Sequence, residues 1–170
     1  MARAVVISGT LGAGKTHIAW AARDLLVARG ERCAIIDLDA LCQMDPAPAE
    51  DPYNSGLGFR NLTAVWPNYD GAGVASLVIA RVVDDADHRA RYEQALPGAE
   101  VRIVRLDASP ATRRARLVQR EPKGPWRDGH LRRTDELAEA LLGIDVDLVV
   151  SNDEREAAEV AAEILSGLGW

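Results

Sequence analysis

The run Gly9-Thr10-Leu11-Gly12-Ala13-Gly14-Lys15-Thr16 carries the pattern G-x-x-x-x-G-K-[ST]. Glycines at this spacing let successive backbone N–H groups close around phosphate oxygens, and a following helix turns its positive end to the same charge. Lys15 can reach β- and γ-phosphates, and the Thr16 hydroxyl is a Mg²⁺ ligand of the right kind. Ala4-Val5-Val6-Ile7 before the run reads as a strand, and the residues from Lys15 onward read as a helix. That strand-turn-helix context favours a nucleoside triphosphate site over a glycine-rich turn before a lysine-bearing helix.

Two carboxylates come next. Asp37 and Asp39 end a second apolar run and stand two residues apart, so on an extended strand end they share a face. Asp39, further out, suits a base that takes a proton from an attacking hydroxyl, and Asp37 suits the neighbourhood of the magnesium. The exchange of these two roles stays open, as does a purely structural reading in which they cap the sheet edge and start a turn. The third strand ends in Arg81 where a motor or GTPase would carry a metal-holding acid, and Asp84 and Asp85 lie beyond it. Arg81 is therefore a candidate for holding the acceptor, as are Arg60 and Asn61. The alternatives are a surface ion pair for Arg81 and simple exposure for the other two. Trp66 and Tyr69 read as packing.

Arg113, Arg116 and Arg120 recur at helical spacing, and three positive charges on one face repel unless they meet anions. They precede a breaker-rich stretch, 121–130, expected to be an exposed loop, with Lys123, Arg127, Arg132 and Arg133 in it or just beyond. An arginine-bearing lid over about 116–133, closing on a nucleotide, accounts for this pattern, with Arg116 and Arg120 as the contacts to phosphate. Pairing with Glu121, Asp128, Asp135 and Glu136 is the structural alternative. Asn152, after the last strand, can border a nucleotide base or merely cap the final helix. His17, His88 and His130 form no metal constellation, and Cys33 and Cys42 lack metal-ligand spacing.

The elements that must position these residues alternate. Strands are expected over 4–8, 33–36, 77–80, 101–106 and 146–150. Helices are expected over 15–28, 55–72, 85–96, 110–120, 132–142 and 154–168. Pro46, Pro48 and Pro52 keep 42–54 irregular. Continuous apolar strands alternating with helices describe an α/β unit with a parallel sheet, whose ligands bind beyond the strands' C-terminal ends. One domain over 1–170 is expected, with a substrate-side segment at about 40–72.

Composition narrows the partners. The 170 residues carry a formal charge of −6 with no broad basic surface, so nucleic acid is not expected as a partner. No leader and no long apolar stretch is evident, which points to a cytoplasmic protein with no membrane association. Monomer and homodimer both fit.

With these residues in hand, the chain resembles the small P-loop kinases of metabolites: the shikimate, gluconate and adenylyl-sulfate kinases and the chloramphenicol phosphotransferases. The resemblance rests on Gly9 to Thr16, on Asp37-Leu38-Asp39, on the arginine helix 113–120 with its following loop, and on the closing strand and helix from 146. It implies a P-loop fold of the nucleoside/shikimate kinase type, a five-stranded parallel sheet in the order 2-3-1-4-5. It also implies ATP and Mg²⁺ as cofactors, and transfer of the γ-phosphoryl group to a hydroxyl of a small-molecule acceptor. The acidic residues of the second strand would meet the acceptor or the metal, and Arg116 or Arg120 the ATP phosphates. The chain lacks the glycine cluster that shikimate kinases carry after the third strand, having Ala80-Arg81-Val82-Val83 there. A nucleotide hydrolase or switch without an acceptor is the competing reading, and a scaffold that keeps only the fold is a third.

Overall fold

Every residue from Ala4 to Ser8 of the first strand, β1 (Ala2–Gly9), is buried, with alternate side chains entering opposite cores. A strand covered on both faces must be apolar throughout, which is why this segment is so uniform. In the computed structural model, which describes residues 1–170, β1 is the centre of a five-stranded parallel sheet. The other strands are β2 (Cys33–Asp37), β3 (Ser76–Ala80), β4 (Ala99–Asp107) and β5 (Leu148–Ser151). Their order is β2-β3-β1-β4-β5, the order that the kinase resemblance implies.

One face of the sheet is covered by α1 (Lys15–Ala28) and α6 (Ala157–Gly167). Val5, Ile7, Val78 and Val104 from the strands meet Ile18, Leu26, Val160 and Ile164 there. The other face is covered by α2 (Ser55–Gly71) and α3 (His88–Ala95). Val6, Ile36, Leu77 and Ile103 meet Leu62, Trp66 and Tyr92 on that side. Trp66 is buried and donates its indole N–H to the Pro97 carbonyl at 3.1 Å, so it is a packing residue as expected. The chain then adds α4 (Pro110–Arg120) and α5 (Pro125–Ala140) beyond β4.

The last strand begins at Leu148 instead of 146, and three other boundaries depart from expectation for local reasons. Residues 121–130 are not a loop throughout: only 121–124 link two helices, and α5 begins at Pro125. Proline at a first helical position loses no intrahelical bond, so the Gly-Pro pair starts a helix here where it reads as a breaker. The helix expected from 85 begins at His88, because the Asp85 carboxylate accepts from Asp87 N–H at 2.9 Å and holds a turn. The helix expected from 154 begins at Ala157, after Glu154 takes a positive φ of 47°.

The sheet register brings the C-terminal ends of β1, β3 and β2 side by side, with Ile7 opposite Ala80 and Ala80 opposite Asp37. The phosphate loop, the acidic strand end and Arg81 therefore open at one edge. No helix of the structure is long and apolar enough to cross a membrane.

Candidate active site

The loop between β1 and α1 is held by its carbonyls. Gly9 and Thr10 accept from Lys15 Nζ at 3.0 and 2.9 Å, and Leu11 accepts from Thr134 Oγ1 at 2.7 Å. Gly12 and Ala13 both lie 3.3 Å from the Arg116 guanidinium, and Ala13 also accepts from Asn152 Nδ2 at 2.7 Å. In a trans peptide the N–H points opposite to its carbonyl. Pinning the Ala13 carbonyl therefore turns the Gly14 N–H the opposite way, as an anion needs, while Ala13 N–H donates to the Thr10 carbonyl at 3.2 Å and closes the loop. Gly12 and Gly14 have φ of +78° and +96°, and a Cβ would stand 2.6 Å from the Arg113 carbonyl at the first and 2.6 Å from Asn152 Nδ2 at the second. The loop thus fits between α4 and the end of β5 only with glycine at both positions.

Two further features fit a nucleoside triphosphate and its magnesium. Thr10 Oγ1 is buried without a hydrogen-bond partner, and no side chain caps the N-terminus of α1. Thr16 Oγ1 donates to Asp37 Oδ2 at 3.1 Å, joining a hydroxyl and a carboxylate of the kind Mg²⁺ takes when phosphates and water complete its shell. No group of three or more His, Cys, Asp or Glu side chains forms a metal centre elsewhere.

Lys15 is the point on which the candidate residues converge. Burial lowers its pKa to about 8; Asp39 and Asp37 oppose the drop while Arg120 and Arg81 reinforce it. Asp37 and Asp39 do not share an extended face as expected, because the chain leaves the strand at Asp37 for a 3-10 turn over Leu38–Leu41. Asp37 Oδ1 caps that turn by accepting from Asp39 N–H at 3.1 Å. The turn separates the two carboxylates, leaving Asp37 at Thr16 and sending Asp39 to Arg81.

Arg81 is buried, and its guanidinium donates to Asp39 Oδ1 at 2.6 Å, Cys42 Sγ at 2.9 Å and Ser55 Oγ at 3.0 Å. It is engaged within the protein, so it positions Asp39 instead of standing free for an anion. Asp39 and Arg81 line a cavity of about 550 Å³ together with Leu11, Tyr53, Trp126 and His130. Asn61 is turned away from it, donating to the Leu41 carbonyl at 2.6 Å, and Arg60 is exposed on α2. Neither lines the cavity, because that face of α2 holds the 3-10 turn instead.

The three arginines of α4 expected to act on a nucleotide, Arg113, Arg116 and Arg120, separate into three tasks. Arg113 is buried and bonds the Ala108 carbonyl at 2.9 Å, a structural part. Arg116 clamps the phosphate loop and donates to the Asn152 carbonyl at 2.9 Å. Arg120 is exposed and pairs with Glu121 at 2.5 Å. Burial raises the Glu121 pKa, but hydrogen bonds from Arg120 and His130 outweigh it and hold the carboxyl below its ordinary range. Asn152 is buried with its amide on Ala13, so it acts on the loop's backbone and not as a helix cap.

Sequence reasoning missed Thr134, Tyr53 and Ser55. A threonine inside a helix and a tyrosine in a proline-rich segment carry no pattern that marks them, and only the tertiary fold brings them to the loop and the cavity.

No family model matches the sequence, and no curated protein matches it. Solved structures do match. A sugar kinase from a Janibacter species is 21% identical with a TM-score of 0.71, over 99% of this chain and 95% of that one. A shikimate kinase from Bacteroides thetaiotaomicron is 16% identical with a TM-score of 0.67, over 99% of both chains. A gluconokinase from Sinorhizobium meliloti is 22% identical with a TM-score of 0.64, over 98% of this chain and 91% of that one. Together with the strand order and the loop geometry, these likenesses show that the chain has the P-loop fold of the nucleoside/shikimate kinase type.

Proposed function

We propose that the protein is an ATP- and Mg²⁺-dependent phosphotransferase that moves the γ-phosphoryl group to a hydroxyl of a small molecule. The observation that carries this reading is the placement of the acids at the phosphate loop: Asp37 accepts from Thr16 Oγ1 at 3.1 Å, and Asp39 lines a cavity together with Leu11 of the same loop. The cavity of about 550 Å³ beside Asp39 gives a small-molecule acceptor a place to bind, which the hydrolase reading does not require. The similar solved structures include proteins described as a sugar kinase, a gluconokinase and a shikimate kinase, which supports the same class of reaction.

Bound ATP–Mg²⁺ supplies the transferable group and the cation that offsets its charge. The chain supplies position and electrostatics. The backbone from Gly9 to Thr16 cradles the phosphates, and Lys15 turns from the Gly9 and Thr10 carbonyls to them. Thr16 and Asp37 hold the metal. Arg116 keeps the loop in shape and, with Arg120, adds positive charge where the phosphoryl group leaves. Asp39 orients the acceptor hydroxyl and takes its proton as the hydroxyl oxygen bonds to phosphorus and the bond to the ADP oxygen breaks. Its second oxygen is available for this, since Arg81 holds Oδ1 and the side chain is 59% exposed. Of the stretch 116–133 proposed as the lid, Trp126, His130 and Arg133 border the cavity and would close over the acceptor, while Arg116 stays on the phosphate loop. Asn152 serves the nucleotide through the loop it braces.

The test is ADP release from ATP–Mg²⁺ against a panel of hydroxylated compounds, with Lys15→Ala and Asp39→Asn alongside. Low background turnover, stimulated by an acceptor and lost in both variants, is expected. Vigorous turnover that needs no acceptor and survives Asp39→Asn would overturn the assignment in favour of a hydrolase.

A further inference from the structure

The charges that line the acceptor cavity are unevenly free. Both of its arginines are already ion-paired: Arg81 with Asp39 at 2.6 Å, and Arg133 with Asp84 at 3.0 Å and Glu136 at 3.5 Å. His130 Nδ1 lies 2.9 Å from both oxygens of Glu121. Asp39, Asp84 and Asp45 line the same cavity, and Asp45 takes part in no ion pair. An anionic acceptor entering here would meet two arginine–carboxylate pairs, the unpaired Asp45 and no unengaged guanidinium. Each pair it broke would leave a carboxylate without its partner.

The apolar surface of the cavity is exposed. Tyr53 is 60% and Trp126 72% accessible, the latter with its ring 4.5 Å from that of His130. Large aromatic rings left in water beside a cavity of this size favour a flat or apolar partner. A volume of about 550 Å³ suits a drug-sized ligand.

Resting on the phosphotransferase reading, we infer that the acceptor is a neutral or cationic hydroxyl compound with an aromatic or broad apolar face, and not a carboxylate or a phosphate ester. The paired arginines exclude anions, the free Asp45 tolerates or favours a positive group, and Tyr53 and Trp126 take the apolar face.

Three probes share a benzyl group and a secondary alcohol and differ only in the third group on that carbon: carboxylate (phenyllactate), hydroxymethyl or aminomethyl. Their binding is to be read by ligand-observed NMR on the full chain with a non-hydrolysable ATP analogue and Mg²⁺. The hydroxymethyl and aminomethyl compounds are expected to bind at least about tenfold more tightly than phenyllactate. Trp126→Ala, a change at an exposed position, should weaken both by about fivefold. Asp84→Asn, which removes a partner of Arg133, should improve phenyllactate selectively. Equal or tighter binding of phenyllactate by the unaltered protein, no binding of any probe, or indifference to Trp126→Ala would each overturn the inference. ADP release measured with the hydroxylated panel separates the two readings. Turnover stimulated only by hydroxy acids removes the acceptor class and leaves phosphotransfer standing. Binding in the expected order, with vigorous acceptor-independent turnover, removes phosphotransfer and leaves the character of the cavity.

Discussion

Thr16 and Asp37 meet through a hydrogen bond of 3.1 Å from Oγ1 to Oδ2, tying the first turn of α1 to the end of β2. In the proposed reading, Asp37 would supply from the second strand the acid that is missing after β3, where the chain has Arg81. The same carboxylate caps the 3-10 turn that carries Asp39, so Thr16 and Asp39 are fixed relative to each other by one side chain.

Asp37→Asn keeps an oxygen to cap the turn and removes the charge. The Mg²⁺ concentration for half-maximal ADP release is expected to rise about tenfold, as for other losses at metal sites, with little change in thermal unfolding. An unchanged Mg²⁺ titration would place the metal elsewhere.

Arg81 holds Asp39, Cys42 and Ser55 at once. Arg81→Met keeps much of the volume but releases all three. Because Asp39 is half-exposed, the ion pair itself contributes little; the cost in stability, about 1–2 kcal/mol, comes from buried polar groups left without a partner. Acceptor-dependent kcat should fall about tenfold from lost positioning, while nucleotide affinity measured by calorimetry stays close to that of the unaltered protein. A loss confined to nucleotide affinity would assign Arg81 to the phosphates instead.

Lys15 gives a pH signature. Burial brings its pKa in the folded protein down to about 8 from 10.5. Between these values the unfolded chain holds the proton and the folded one does not, so folding stability from this group rises with pH across that window. Lys15→Met removes the titration. Denaturant unfolding should therefore show the unaltered protein gaining on Lys15→Met from pH 8 to 10. Nucleotide phosphates restore the charged form, so binding at pH 8.5 should take up a proton, read as a buffer-dependent enthalpy. A binding enthalpy independent of the buffer would mean that Lys15 is already charged there.

Much of this was legible in the sequence. The phosphate loop, the alternation of apolar strands with helices and the helix 110–120 follow from patterns that are local or nearly so: glycine spacing, continuous apolar runs, and a Ser-Pro start in which Ser109 Oγ accepts from Thr112 N–H; the strand order followed only from the resemblance to the P-loop kinases. What was not legible depends on partners far along the chain. Asp39 reads as a free base in the sequence, whereas Arg81, just beyond β3, holds one of its oxygens. Asn61 looked like a ligand group, but the nearest carbonyl in space is that of Leu41. Pro125 and Gly129 looked like loop residues because their local preference was weighed without the packing of α5 on α4. Trp126 and His130 were visible as residues, but their shared wall with Tyr53 exists only in three dimensions.

Asn152 and Arg116 form one clamp on the phosphate loop. Asn152 donates its amide to Ala13, Arg116 reaches both Gly12 and Ala13, and Arg116 also bonds the Asn152 carbonyl at 2.9 Å. Asn152→Ala leaves the Ala13 carbonyl with only the longer bond, of 3.3 Å. Stability should drop by about 1–3 kcal/mol for the buried group, with nucleotide affinity falling about tenfold as the loop loosens. Arg116→Ala should cost nucleotide affinity as well, since it removes both a brace and a positive charge. Because the two side chains share one acceptor, the double variant should lose less than the sum of the single losses, with a coupling of about 0.5–3 kcal/mol in nucleotide binding by calorimetry. Strict additivity would mean that the two residues act on the nucleotide independently, and that Asn152 contacts it by a route other than the loop.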